Sequence, residues 1–171
     1  MLEHRTGMTF FEALLAEYTV PEPAVLAVVL ARIVAAAVLG GLIGYERERK
    51  GRSAGLKTHV LVAIGSALFV LAPAVAGTEL DDLTRVMQGV VSGIGFLGAG
   101  AIIKMERDGR VEGLTTAAGI WMTCAIGMAA GIGMEMVALM TTLAALVVVN
   151  AVPKIFPAEP HEPPSHGDAE S

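Results

Sequence analysis

Five stretches of this chain are apolar for long enough to cross a bilayer, which limits the fold more than any motif does. A hydrocarbon core of ~30 Å takes about 20 residues of helix. The sequence predicts spans at Ala24–Tyr45, Thr58–Ala76, Val86–Ile103, Leu114–Ile132 and Met136–Val152. Lipid offers no hydrogen bonds, so each segment must satisfy its own backbone, and the expected fold is all-α and integral to the membrane. Composition agrees. Hydrophobic residues make up 54% of 171, mean hydropathy is +0.63, and 20 glycines permit close helix approach. Cys124 is the single cysteine, which excludes an intramolecular disulfide and reads as a small apolar helix residue.

Lys and Arg set the expected orientation. The loop after the first span holds Arg47, Arg49, Lys50, Arg52 and Lys57; that after the third holds Lys104, Arg107 and Arg110; Lys154 follows the fifth. On the other side stand Arg5, Arg85 and the acidic "TELDD". Nine basic residues against two put both loops and the C-terminus in the cytoplasm and the N-terminus outside.

Residues 1–23 read as a periplasmic or interfacial segment. In "MTFFEALLAEY", Phe11, Leu14, Leu15 and Tyr18 share one helical face, and Pro21 and Pro23 then end it. A basic region followed by a small-residue cleavage site is absent, so no removable signal peptide is expected. Residues 153–171 are polar and Pro-rich and read as a disordered cytoplasmic tail, with His161 and His166 in a solvated spacer.

The two cytoplasmic loops repeat each other. "ERKGRSAGLKT" (Glu48–Thr58) and "ERDGRVEGLTT" (Glu106–Thr116) match at seven of eleven positions. Each joins two spans, which implies two span–loop–span hairpins in parallel orientation plus a fifth span, related by a pseudo-twofold axis along the membrane normal. Gly51 and Gly109 suit turns with positive φ. Gly55 and Gly113 precede spans, and the hydroxyls of Thr58, Thr115 and Thr116 stand where free N–H groups need acceptors. With Arg47, Arg49, Arg52, Arg107 and Arg110 nearby, two helix N-termini make an anion-friendly surface. Simple topogenic charge accounts for the same arginines.

"GVVSGIGFLGAG" contains G-x-G-x-x-G at Gly93, Gly95 and Gly98, but a dinucleotide fingerprint needs a preceding strand, and this stretch lies in a span. Gly89/Gly93, Gly40/Gly44 and Gly127/Gly131 are instead small-xxx-small pairs for helix packing. The glycine density through Gly100 also permits a bend or an unwound turn in the third span.

Arg32 stands eight residues into the first span, roughly 12 Å by the helical rise. A guanidinium at that depth must snorkel, face a wet cavity or bond neighbouring helices. Snorkelling outward brings it toward Asp81 or Asp82, with Gln88 as a further acceptor and Arg85 close by. A strut between helices and a binding site both fit.

The combination of "IGYERE", "GLKTH", "SGIGFLGAGAI" and "GLTTAAGIW" resembles the membrane domain of the MgtC/SapB family over Ala31–Asn150. By that resemblance Arg32, Glu46, Arg47, Gly55, Thr58, Asp82, Arg85, Gln88, Gly93, Gly95, Phe96, Gly98, Gly100, Thr115, Thr116 and Trp121 match the family pattern. It implies a bacterial inner-membrane protein tied to growth in low magnesium and to virulence. MgtC-type members carry a folded cytoplasmic domain after the last span; with Pro153–Ser171 in its place, a membrane-domain-only form is expected.

Two functions follow. The first is a non-enzymatic factor that docks on another membrane protein, with no cofactor, metal or nucleic acid; the expected partners are the lipid bilayer and a homodimer mate or another inner-membrane protein. The second is a small transporter or channel, as a homo-oligomer.

Overall fold

A computed structural model describes residues 9–12, 21–103 and 113–155. These hold five long helices and no strand: α1 (Pro23–Arg49), α2 (Leu56–Val75), α3 (Leu80–Ile103), α4 (Leu114–Gly131) and α5 (Glu135–Ile155). All five are long and apolar enough to cross a membrane. α1 and α3 run past the apolar stretches that betray them. α3 begins six residues before Val86, because Asp81 and Asp82 in its first turn complement the helix dipole without being hydrophobic.

The chain forms two compact units, Met1–Ala31 and Arg32–Ser171. In the first, Thr9 and Glu12 bracket a short helical turn. Glu12 Oε2 accepts from the Thr9 N–H (2.9 Å) and hydroxyl (3.0 Å), and Thr9 Oγ1 accepts from the Glu12 N–H (3.3 Å). This reciprocal pair is a capping box. Phe10 and Phe11 are exposed, while Leu14, Leu15 and Tyr18 lie outside the described residues.

In the second unit α4 is the most enclosed helix and packs against α2, α3 and α5. Glycine makes the tightest contacts. A methyl at Gly40 of α1 would stand 2.5 Å from Ala63 Cβ, and one at Gly44 2.8 Å from Leu56 Cα. From the other side, a methyl at Gly127 would run into the Ala63 carbonyl, and one at Gly131 would lie 2.5 Å from the Ala67 carbonyl. α2 is thus clasped between two small-xxx-small faces, and both pairs serve the packing expected of them. Ala36, Ala63, Ala67, Ile126, Ala130 and Ala138 complete that core.

Three helices end alike. Gly51 (φ +65°), Gly77 (φ +78°) and Gly133 (φ +87°) are left-handed, and around each the two following N–H groups fold back on the last turn. Arg52 N–H reaches Arg47 O at 3.1 Å and Gly51 N–H reaches Glu48 O at 3.0 Å. Thr78/Pro73 with Gly77/Ala74, and Met134/Ala129 with Gly133/Ala130, repeat the pattern, which is the Schellman motif. The turn expected at Gly51 is therefore formed; Gly109 lies outside the described residues.

The glycines of α3 behave differently. α3 is helical without interruption, so the unwound turn that its composition permits is not formed. Nothing stands within 4 Å of a methyl at Gly89, Gly93, Gly95 or Gly100, and only Gly98 meets a neighbour, Ala117 Cβ at 3.5 Å. Among the described residues Gly89/Gly93 is not a packing pair.

Candidate functional site

The repeated loop motif leads to a polar junction where α1, α2 and α4 meet. The last turns of α1 carry Glu46, Arg47, Glu48 and Arg49, which helical spacing distributes around the helix. Arg47 points inward and is only 3% exposed. Its Nη2 donates to Thr115 Oγ1 (3.3 Å) and Thr116 Oγ1 (3.5 Å), in the first turn of α4. The hydroxyls expected to cap α4 thus serve as acceptors for a buried guanidinium. Gly113 precedes them in the left-handed conformation (φ +88°), where a methyl would press on the Ala101 carbonyl at 2.6 Å.

Glu48 turns the other way and caps α2, its Oε2 accepting the Leu56 N–H at 2.7 Å. Gly55 leaves space for that carboxylate: a methyl there would lie 2.6 Å from Oε2. The anion-friendly start of α2 is therefore occupied by the chain's own carboxylate, and Thr58, expected as the capping hydroxyl, is exposed. The repeat positions Gly55 (φ −103°) and Gly113 (φ +88°) both precede a helix but enter it from different backbone conformations. Lys50, just past the end of α1, pairs through Nζ with Glu46 Oε1 at 2.5 Å and donates to Val149 O of α5 at 3.0 Å. Arg49 lies over the Tyr45 ring at 5.8 Å, and Arg52 is exposed. Glu106, Arg107 and Arg110 lie outside the described residues.

His59 completes the junction. It is fully buried on α2, with Nδ1 2.9 Å from Gly55 O. Its other nitrogen, Nε2, and Arg47 Nε are buried without a hydrogen-bond partner among the described residues, as is Thr123 Oγ1 further along α4. Reading "GLKTH" for its glycine and threonine alone overlooks this histidine. Its signal was position: one turn beyond a helix start, opposite the small residues Gly40 and Gly44 of α1.

At the other end Arg32 has different partners from those the sequence suggests. Its Nη1 donates to Gly131 O at 3.2 Å, and its Nε lies 3.7 Å from Glu135 Oε1. The guanidinium caps the C-terminus of α4, where the helix dipole favours a cation. Asp82 pairs instead with Arg85 at 3.1 Å, and Gln88 is exposed, so the structure does not gather Arg32 with Asp82 and Gln88. The carboxylate Arg32 meets is Glu135, just ahead of the fifth apolar stretch.

A third feature is apolar. Between α2 and α3 runs a groove of about 580 Å³, walled by Phe69 and Leu97 and floored by Gly65, Ser66, Gly89 and Gly93. Phe96, the residue before Leu97, is 82% exposed. Among the described residues no three His, Cys, Asp or Glu side chains are grouped to hold a metal ion.

Comparison with known proteins matches residues 33–156 to the MgtC family. The chain is 42% identical over 135 residues to Protein SrpB of Synechococcus elongatus, covering 72% of this chain and 74% of that one. It is 42% identical over 126 residues to the putative magnesium transporter YhiD of Escherichia coli K12, covering 70% of this chain and 58% of YhiD. It is 44% identical over 115 residues to Protein MgtC of Brucella abortus, covering 67% of this chain and 47% of that protein. The chain thus spans about half the length of the MgtC and YhiD relatives. No solved structure matches.

Proposed function

The chain belongs to the MgtC family, and from that premise we propose that it is a non-enzymatic inner-membrane factor which docks on another membrane protein during adaptation to low magnesium. The observation that carries this reading is the contrast between its glycines. Gly40, Gly44, Gly127 and Gly131 are closed off by α2, whereas among the described residues nothing meets a methyl at Gly65, Gly89 or Gly93 along one groove. Glycine on a lipid-facing helix lets another backbone approach closely, and small-residue faces drive helix association where lipid removes the hydrophobic drive. The occupant that suits the groove is a transmembrane helix of a partner protein, with Phe96 and Leu97 flanking it.

The test is Gly93→Leu. With nothing within 4 Å of that position, the variant folds and accumulates like the wild type while its bulk fills the groove. Growth support in low-magnesium medium should be lost. A cysteine at position 93 in a Cys124→Ser background should cross-link to a different membrane protein. A fully active Leu variant, or a cross-link to a second copy alone, overturns the reading.

A transporter is the second reading. The name of the Escherichia coli relative supports it, as does the polar junction inside the helices. Purified protein in liposomes decides between them: flux of Mg²⁺, K⁺, protons or anions establishes transport, and its absence alongside a partner cross-link establishes docking.

A further inference from the structure

We propose that Arg47, His59 and Gly119 form a binding site for one water molecule, held between a donor and an acceptor at the junction of α1, α2 and α4. The site uses none of the residues of the α3 groove, so the two proposals stand or fall separately.

The chemistry of the two nitrogens is settled by their neighbours. His59 Nδ1 lies 2.9 Å from Gly55 O, and a carbonyl only accepts, so Nδ1 carries the ring proton. Nε2 of the neutral ring then presents a lone pair. Arg47 Nε always carries a proton. Both atoms are buried, and neither has a hydrogen-bond partner among the described residues. A methyl at Gly119 would meet two side-chain atoms within 4 Å, and they are these: His59 Nε2 at 3.5 Å and Arg47 Nε at 3.7 Å. Both nitrogens, one a donor and one an acceptor, therefore border the face of α4 that Gly119 leaves without a side chain.

Water satisfies both at once, accepting from Arg47 and donating to His59. Two polar partners meet the lower bound for a buried water. A hydrocarbon group would leave two polar nitrogens unsatisfied, and an anion would face the Nε2 lone pair. The guanidinium continues the chain through Nη2 to Thr115 and Thr116, of which Thr115 is exposed. Hydrogen bonds thus run from an exposed hydroxyl, through Arg47 and the water, to His59 and the Gly55 carbonyl. One solvent molecule joins all three helices.

The sign of one substitution tests this. At an open helical glycine, Ala raises stability, because Gly is the poorer helix former, and here a methyl stands at ordinary contact distance. If the site holds water, Gly119→Ala displaces it and strands both nitrogens, so Tm falls by several degrees. In an Arg47→Met, His59→Leu background the same substitution should raise Tm. A higher Tm for Gly119→Ala alone, or an equal fall in both backgrounds, overturns the proposal. ¹⁵N NMR of histidine-labelled wild-type protein gives a reading that needs no variant. His59 should show an unprotonated Nε2 and an NOE from its ring C–H protons to a bound water, and a protonated Nε2 overturns the site.

Discussion

Glu48 closes the start of the helix that follows it: its Oε2 accepts the N–H of Leu56 at 2.7 Å across eight residues of chain. The bond joins the end of α1 to the start of α2, and Gly55, lacking a side chain, lets it form. Glu48→Ala should therefore cost about 1 kcal/mol, the usual value of a helix cap. Glu48→Gln should cost less, since it keeps an acceptor oxygen and loses the charge–dipole contribution. Chemical denaturation in mild detergent measures both, and a neutral Glu48→Ala would refute the cap.

Arg32 caps α4 through the Gly131 carbonyl. Arg32→Leu leaves the Gly131 carbonyl without its side-chain donor and Glu135 without its cation, and should destabilise by about 1–2 kcal/mol. Glu135→Gln, removing a half-exposed and long ion pair, should change stability by less than about 1 kcal/mol. Activity in complementation should then follow the amount of folded protein. An inactive but fully stable Arg32→Leu would make Arg32 a functional residue instead.

Glycine substitutions should separate into two classes. Gly127→Ala drives a methyl into the Ala63 backbone and should cost about 1–3 kcal/mol, as overpacking does. Gly95→Ala meets nothing within 4 Å and should be neutral or stabilising by up to about 1 kcal/mol. Thermal unfolding of the pair checks the prediction, and similar effects from both would mean that α2 and α4 are not packed as described.

Orientation is open to direct measurement. Single cysteines at positions 52 and 81, in a Cys124→Ser background, should label from opposite sides of the membrane. The basic loop predicts position 52 inside and position 81 outside. An impermeant thiol reagent that modifies position 52 in intact cells would reverse the topology.

The capping box at Thr9 gives a pH prediction. The Thr9 N–H, and secondarily its hydroxyl, hold the Glu12 carboxyl below its ordinary value. A lowered folded-state pKa contributes stability above the unfolded value and loses it as pH falls through the folded one. The turn at Phe10–Glu12 should therefore loosen on acidification through the lower carboxylate range. Amide exchange at Glu12 reports it, and Glu12→Gln should abolish the pH dependence.

The five helices were legible because lipid demands long apolar runs, and all five stand where those runs lie. Their polar ends were less so: Asp81 and Asp82 belong to α3, yet nothing hydrophobic marks them. Motif reading found Arg47, Thr115, Thr116, Gly55 and Glu48, but not that Thr115 and Thr116 serve Arg47 while Glu48 serves α2. Both pairings cross between elements, so spacing along one strand of sequence does not reveal them. The same holds for Arg32, whose partner carboxylate lies 103 residues away on α5, and for His59, whose importance comes from what α1 and α4 lay against it.

The left-handed glycines at positions 51, 77 and 133 bear on how such a chain enters a membrane. Each lets a helix fold its own end shut, so carbonyls of the last turn find N–H groups only a few residues downstream. Lipid penalises unsatisfied backbone from the moment a segment leaves water. A helix finished in this way carries its solution with it and does not wait for a neighbour still to be synthesised. The backbone ends of the first helical pair are therefore closed without help from later helices, whereas Arg32 and Arg47 of α1 find their partners only on α4.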